Sequence, residues 1–272
     1  MVLFAILMCV NFASCSSSHD DLNEENDNKK TKKLLSSITF YQVEELNEDW
    51  NKTIYQFTYN DEKLLSSVTN NRNDLKIDFE WSSGGYIVDV TVTNQGSVKS
   101  EGRYWTDNND FLWRGEGYGT EMDIEYDANG HLDRYILKSY KTTKCKWIWS
   151  NDNIAKFEHV YDLTNGTSSL DYEETYTYYL DKENKHPIMD IWYSLYFSSL
   201  SLTGYDSFLV MAHPSLLGKC NKNVIKSRNY KNDKHSYNIE YTYEFDSENY
   251  PTKITETNTT NGGSRTYTLT WN

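Results

Sequence analysis

The chain has 272 residues, 38% of them hydrophobic, with only three prolines and a mean hydropathy of -0.77, which suits one large β domain or two smaller units. Forty acidic against 27 basic side chains leave a net charge of -13, which repels phosphate backbones, so no nucleic acid is expected as a partner. Aromatic residues reach 15%, with 23 Tyr and 8 Trp, a balance that favours strands over helices and predicts an all-β fold.

Val2 to Val10 form a short apolar run, well below the roughly 20 residues needed to span a bilayer, and read as the apolar region of a signal peptide. Met1 and Val2 supply no Lys or Arg ahead of it. The run ends in Phe12-Ala13-Ser14-Cys15, followed by Ser16-Ser17-Ser18-His19-Asp20-Asp21 and a polar stretch to about Lys33. This resembles a bacterial lipobox of the relaxed Bacteroidetes kind. The resemblance implies cleavage before Cys15 and acylation of that residue, and two or more acyl chains suffice for stable membrane anchoring. The acidic stretch after Cys15 is similar to the surface-export signal of such lipoproteins, which implies an outer-membrane lipoprotein at the cell surface rather than on the periplasmic face. The organisation expected is therefore a signal peptide over 1–14, a lipidated flexible tether over 15–33 and a single β-hairpin-repeat domain over 34–272. Cys145 and Cys220 are the two thiols left to that domain. They form either one disulfide in an oxidising compartment or two separate thiols.

From Leu34 onward, period-2 alternation recurs, the signature of strands. Tyr55, Phe57 and Tyr59 share one face, as do Leu75, Ile77, Phe79 and Trp81, then Tyr86, Val88, Val90 and Val92, and finally Tyr237, Ile239, Tyr241, Tyr243 and Phe245. Several strands end in an aromatic residue followed by a polar turn, as in Tyr59-Asn60, Tyr126-Asp127, Trp149-Ser150 and Phe245-Asp246. The strand-ending aromatics Tyr59, Trp81, Trp105, Tyr126 and Trp149 are spaced by 22, 24, 21 and 23 residues, one hairpin per repeat. A hairpin cannot bury its apolar face alone, so about 14–16 strands must form a large antiparallel meander, curled or closed into a barrel. The pattern breaks near residues 187–218, where apolar runs without alternation, punctuated by Pro214 and Gly218, predict an irregular or short helical insert on the concave side of the sheet. A functional loop is the rival reading.

The lipobox, the hairpins, Gly204-Tyr205-Asp206 with Gly218-Lys219 and Lys222 to Lys226, and the C-terminal Tyr241 to Ile254 segment together resemble a Bacteroidetes lipoprotein family of unknown function with a porin-like β fold. The hairpins are also similar to YD repeats of bacterial cell-surface proteins. The resemblance implies no catalytic residue. The strong hydrophilicity and the Tyr-rich stripes predict a soluble barrel with its aromatic face inside rather than one facing lipid.

The six histidines show no metal spacing, and surface or turn positions are expected for them. No nucleotide-binding glycine pattern or hydrolase elbow occurs, so no cofactor is expected. Gly115-Glu116-Gly117-Tyr118-Gly119 reads as a sheet kink or turn. Asp107-Asn108-Asn109-Asp110 lacks the Gly and terminal Glu of a calcium loop and reads as a hairpin turn. Aromatic faces stack on sugar rings, which makes Trp147 and Trp149 on one strand face, and Trp105 and Trp113 flanking a turn, the candidate ligand-binding residues. The function expected is a non-enzymatic, lipid-anchored surface module that binds glycan or protein. A scaffold barrel without a small ligand, or a hydrolase using two carboxylates in the barrel mouth, are the alternatives.

Overall fold

Alternating segments become strands throughout the part of the chain that the computed structural model describes, residues 32–272 apart from 43–51, 73, 83, 85, 118–119, 139–141, 163–167 and 187–206. The leader, Cys15, His19, the tether up to residue 31 and the first part of the insert, with Gly204-Tyr205-Asp206, lie outside the described residues. In chain order the strands are β1 (Leu35–Gln42), β2 (Lys52–Tyr59), β3 (Leu65–Asn70), β4 (Leu75–Trp81), β5 (Ile87–Asn94), β6 (Ser97–Thr106), β7 (Leu112–Gly117) and β8 (Thr120–Tyr126). They continue with β9 (Leu132–Lys138), β10 (Thr142–Ser150), β11 (Asn153–Asp162) and β12 (Ser168–Glu183). A short helix α1 (Ser207–Ala212) and a 3-10 turn (Pro214–Leu217) follow, then β13 (Asn223–Asn232), β14 (Ser236–Phe245), β15 (Pro251–Asn258) and β16 (Ser264–Trp271). Every strand pairs antiparallel with its sequence neighbours, and β1 pairs with β16 to close a 16-stranded barrel. Closure leaves no sheet edge exposed. Leu34 and Asn272 exchange backbone hydrogen bonds of 3.1 and 2.9 Å where the two ends of the barrel-forming chain meet.

Inward and outward faces have opposite polarity. Leu75, Ile77 and Phe79 of β4 and Val88, Val90 and Val92 of β5 are buried, as their alternation predicts. Tyr86 departs from its stripe because it precedes β5, and it is half exposed. The outer face carries exposed cross-strand ion pairs, among them Arg103–Asp89 at 2.5 Å, Lys138–Asp123 at 2.5 Å and Lys253–Glu244 at 2.8 Å. A lipid-facing band is apolar, and these outward positions are charged.

Sixteen strands are enough to leave an aqueous channel when inward side chains are small. Here the inward residues are large, and Tyr104, Tyr135, Tyr241, Tyr267 and Phe157 are fully buried. All six residues of α1 are buried, Phe208 to Ala212 in the same cluster. Phe208 packs on Tyr55 and Phe57, and His213 accepts the Leu65 backbone N–H at 2.9 Å between the edges of Tyr59 and Trp81. Further along, Lys219 N–H donates to the Gly130 carbonyl, and the Ile154 N–H to the Asn221 side chain. The insert thus touches the wall at β2, β3, the β8–β9 turn and β11, all at the end where even strands finish. This is the plugged end, and the opposite end is the mouth.

In six of the eight even strands, all but β6 and β14, an aromatic at or near the strand end has one physical role. Its polar tip donates to the carbonyl that opens the preceding strand: Tyr59 to Leu35, Trp81 to Leu65, Tyr126 to Leu112, Trp149 to Leu132, Tyr178 to Ile154 and Trp271 to Pro251, all at 2.7–2.8 Å. Indole N–H and phenol O–H serve equally, because the rings are partly buried against the core and the tip needs a partner. The residue after the aromatic closes the turn. Asn60, Asp107, Asp127 and Asp246 each accept two backbone N–H bonds from residues two and four positions on. Lys63, Asp110, Gly130 and Asn249 take the left-handed conformation that completes each turn. Asp107 to Asp110 is therefore a hairpin turn, as its sequence suggests.

Trp105 breaks this series. The bulge that precedes Tyr59, Tyr126 and Trp149 at their strand ends here precedes Thr106, so Thr106 takes the inward end position ahead of Asp107, and Trp105, one residue earlier, faces outward between buried Tyr104 and Thr106. The histidines also depart from expectation, since His131, His159 and His186 are buried. They pack as flat rings, His131 on Trp149 and His159 on Tyr172. Cys145 and Cys220 do not bridge. Cys145 is buried in the wall, and the Cys220 thiol faces the Pro214 and Gly218 carbonyls at 3.7 and 3.8 Å.

Candidate functional site

The four tryptophans occupy two different environments. Trp147 and Trp149 share the inner face of β10, where Trp147 is 3% exposed and packs on Phe157 with centroids 5.1 Å apart. Trp149 stacks on His131 at 4.5 Å while its indole N–H holds the Leu132 carbonyl. Packing therefore occupies faces that a sugar would need. Trp105 and Trp113 lie on the outer side of β6 and β7, Trp113 at 42% exposure and Trp105 beneath the Arg114 guanidinium at 5.7 Å.

At the mouth, between β12 and the β15–β16 turn, the inner wall forms a cavity of about 680 Å³. Alternation places Tyr172, Glu174 and Tyr176 of β12 inward, and the register of β12 with β13 sets Tyr176 opposite Arg228. Glu174 and Arg228 are 3% and 4% exposed and form an ion pair of 2.6 Å, while the Tyr176 hydroxyl donates to the other Glu174 oxygen at 2.5 Å. Burial works against the Arg228 charge, but the neighbouring Glu174 outweighs it and holds the guanidinium above its usual range. The same burial pushes the phenols of Tyr172, Tyr176, Tyr230 and Tyr237 upward, so they are neutral donors at physiological pH.

A ladder of flat rings climbs one side of the cavity. His159 stacks on Tyr172 at 4.8 Å, Tyr172 leans on Tyr230 at 5.0 Å, and Tyr230 stacks on Tyr237 at 4.6 Å with an interplanar angle of 10°. Asp171, which lines the rim, sits 3.1 Å from His159 Nδ1. The β13–β14 and β15–β16 turns contribute the remaining rim, including Ser236, Asn258 and Asn261.

One further carboxylate lies inside the barrel. Glu256 of β15 is buried, accepts the Tyr267 hydroxyl at 3.1 Å and has its pKa raised to about 7 by burial. Glu174 and Glu256 stand on β12 and β15 with two strands between them, about 14 Å apart across the wall at about 4.8 Å per strand. A second hollow, of about 730 Å³, lies against β5 to β8 around Arg103. Its charged groups are exposed and Arg103 is already held by Asp89, so it lacks the buried polar floor of the mouth.

The sequence reading passed over the mouth. A signal was present, because Glu174 falls in phase with Tyr172, Tyr176 and Tyr178, an inward stripe where a charge is costly unless paired.

No family model and no curated protein matches the chain. Among solved structures, it is similar to a porin-like protein from Bacteroides uniformis, with a TM-score of 0.61, 14% identity, and coverage of 88% of this chain and 98% of that one. It is also similar to a porin-like protein from Bacteroides vulgatus, with a TM-score of 0.56, 14% identity and the same coverage. At this identity the likeness is one of fold, and the fold of this chain is that of the porin-like barrels.

Proposed function

We propose that this is a lipid-anchored protein of the bacterial cell envelope whose barrel is a non-enzymatic binding module, with a glycan or protein ligand seated at the mouth. The observation that carries this reading is the buried Glu174–Arg228 pair on the wall of an open cavity. A buried ion pair is weak evidence for stability, and this one is placed where a ligand can reach it.

The charged outer wall supports a barrel surrounded by water on a tether rather than one inserted in lipid. The leader and Cys15 supply the anchor, and the acidic residues after Cys15 favour the cell surface. The polypeptide enters β1 at the plugged end, so the mouth lies at the end of the barrel away from the point of attachment. The filled lumen and the plug favour the second reading, a scaffold barrel that binds no small molecule.

A thermal-shift screen of the full chain against polysaccharides and candidate surface proteins tests the binding reading. A ligand at about 100 times its Kd adds about 2.7 kcal/mol to stability, and a raised midpoint is expected with at least one of them. Radiolabelled palmitate should label the wild type and not Cys15→Ser, and protease added to intact cells should remove the barrel. An unlabelled or protease-resistant wild type would contradict the proposed anchoring or surface placement.

A further inference from the structure

We infer that the mouth takes an uncharged carbohydrate, one ring stacked on the face of Tyr237 turned away from Tyr230 and its hydroxyls directed at the Glu174–Arg228 pair and the β15–β16 turn. This rests on the reading of the barrel as a binding module and specifies the ligand.

The chemistry of the wall makes the selection. None of the twelve described residues that line the cavity is aliphatic, so an acyl chain or other apolar ligand would leave a wall of polar groups without hydrogen-bond partners, at a cost of about 1–3 kcal/mol for each one buried. An ionised ligand meets the opposite difficulty. Arg228 is already neutralised by Glu174 at 2.6 Å, and Asp171 sits 3.1 Å from the imidazole of His159. A buried charge needs a counter-charge; the two charged groups deepest in the wall are committed to each other, and Lys234 of the lining stands exposed at the rim, where water and salt screen its charge. An anion would also approach a chain of net charge -13 against its field.

An uncharged polyol with one apolar face meets both conditions. Tyr237 is partly exposed and is backed on one side by the nearly parallel ring of Tyr230, at 10° and 4.6 Å, which holds its other face as a flat platform for ring C–H groups. Side chains of Ser236, Thr260 and Asn261 ring the opening, and hydroxyl and amide groups pair with sugar hydroxyls in either direction. The Glu174–Arg228 pair offers an acceptor and donors side by side, the complement of a vicinal diol. The volume of about 680 Å³ falls within the roughly 300–1,000 Å³ of small-molecule sites.

The test is isothermal titration of the full chain with neutral trisaccharides (maltotriose, cellotriose, mannotriose and xylotriose), a galacturonate trimer, a fatty acid and a random heptapeptide pool. At least one neutral trisaccharide should bind saturably. Tyr237→Ala should weaken it at least tenfold, Tyr237→Phe should retain it within about threefold because the ring remains, and Trp113→Ala on the outer wall should leave it unchanged. Circular dichroism melts establish that each variant is folded, and Ser236→Ala provides a milder second variant whose expected loss is severalfold. Binding of the acidic trimer, the fatty acid or peptide in preference to every neutral sugar, lost in Tyr237→Ala, would overturn the ligand class and leave the binding module standing. Silence in all arms would overturn both. Sugar binding unaffected by Tyr237→Ala and Ser236→Ala would overturn the placement at the mouth.

Discussion

Tyr126 joins the barrel wall to Leu216 in the insert: its hydroxyl lies 2.7 Å from the Leu112 carbonyl and 3.1 Å from that of Leu216. Tyr178 makes a double contact of the same kind, with its hydroxyl 2.8 Å from the Ile154 carbonyl and 3.1 Å from the Asn221 side chain, and the remaining aromatic tips at this end hold wall carbonyls. Tyr126→Phe keeps the ring and removes the only donor for these contacts. Leaving a buried carbonyl without its partner costs about 1–3 kcal/mol. Urea denaturation should show stability lowered by that amount, through a lower midpoint at unchanged slope. A loss below about 0.5 kcal/mol, the scatter of ordinary surface substitutions, would mean that the plug does not depend on this bond.

Gly218 lies directly under the same ring. Its φ is +80°, and an added Cβ would come within 2.4 Å of the Gly130 carbonyl and 2.9 Å of the Tyr126 ring. Left-handed backbone alone costs a non-glycine residue about 1 kcal/mol or more, and the backbone clash adds to it because Gly130 is fixed by its turn. Gly96 has a φ of +75° with nothing within 4 Å of an added Cβ. Melting of the two variants should therefore separate conformation from collision, with Gly218→Ala losing clearly more stability than Gly96→Ala. Equal losses would remove the steric part of the argument.

Trp147 and Trp113 give opposite expectations despite similar sequence settings. Trp147→Ala opens a cavity against Phe157, and truncation of a buried Trp costs about 3–5 kcal/mol. Trp113→Ala removes an exposed ring and should stay within about 0.5 kcal/mol. Chemical denaturation of both variants checks the assignment of inner and outer faces, which would be reversed if Trp113 proved the costlier loss.

The hairpin architecture was legible because local and global requirements coincide in each repeat. An aromatic whose tip closes a carbonyl, followed by Asn or Asp whose oxygen closes the turn, leaves a mark at a spacing of 21–24 residues. Trp105 shows the limit of that reading: its spacing falls within the range of the repeat, but Thr106 fills the end position before Asp107, and a slip of one residue turns a side chain to the other face. The histidines misled for a related reason, since an imidazole stacked on Trp149 or Tyr172 is buried through contacts made by distant strands and turns. The mouth was less legible still. Glu174 and Arg228 are 54 positions apart, and only the register of β12 on β13 makes them a pair.

Glu256 makes the stability of the barrel depend on pH in an uncommon direction. Burial raises its pKa from 4.5 to about 7, against the opposing influence of the Arg265 charge and the Tyr267 hydrogen bond. In the unfolded chain the group titrates near its ordinary value, so between about pH 4.5 and pH 7 the native state binds the extra proton. Stability then falls as pH rises through that window, because protons bound preferentially by the native state are lost. A shift of this size corresponds to about 3 kcal/mol across the window. Carboxylates whose pKa values are lowered by a hydrogen-bonded lysine, Asp162 by Lys144 and Glu173 by Lys156, act at lower pH and with the opposite sign, and they are common to wild type and variant. Glu256→Gln retains an acceptor for the Tyr267 hydroxyl and removes the titration. The stability difference between Glu256→Gln and wild type, measured by urea unfolding at intervals from pH 4.5 to pH 8, should grow in favour of the variant by about 3 kcal/mol and level off above pH 7. A difference that stays constant with pH would show that Glu256 does not carry its proton into the folded barrel.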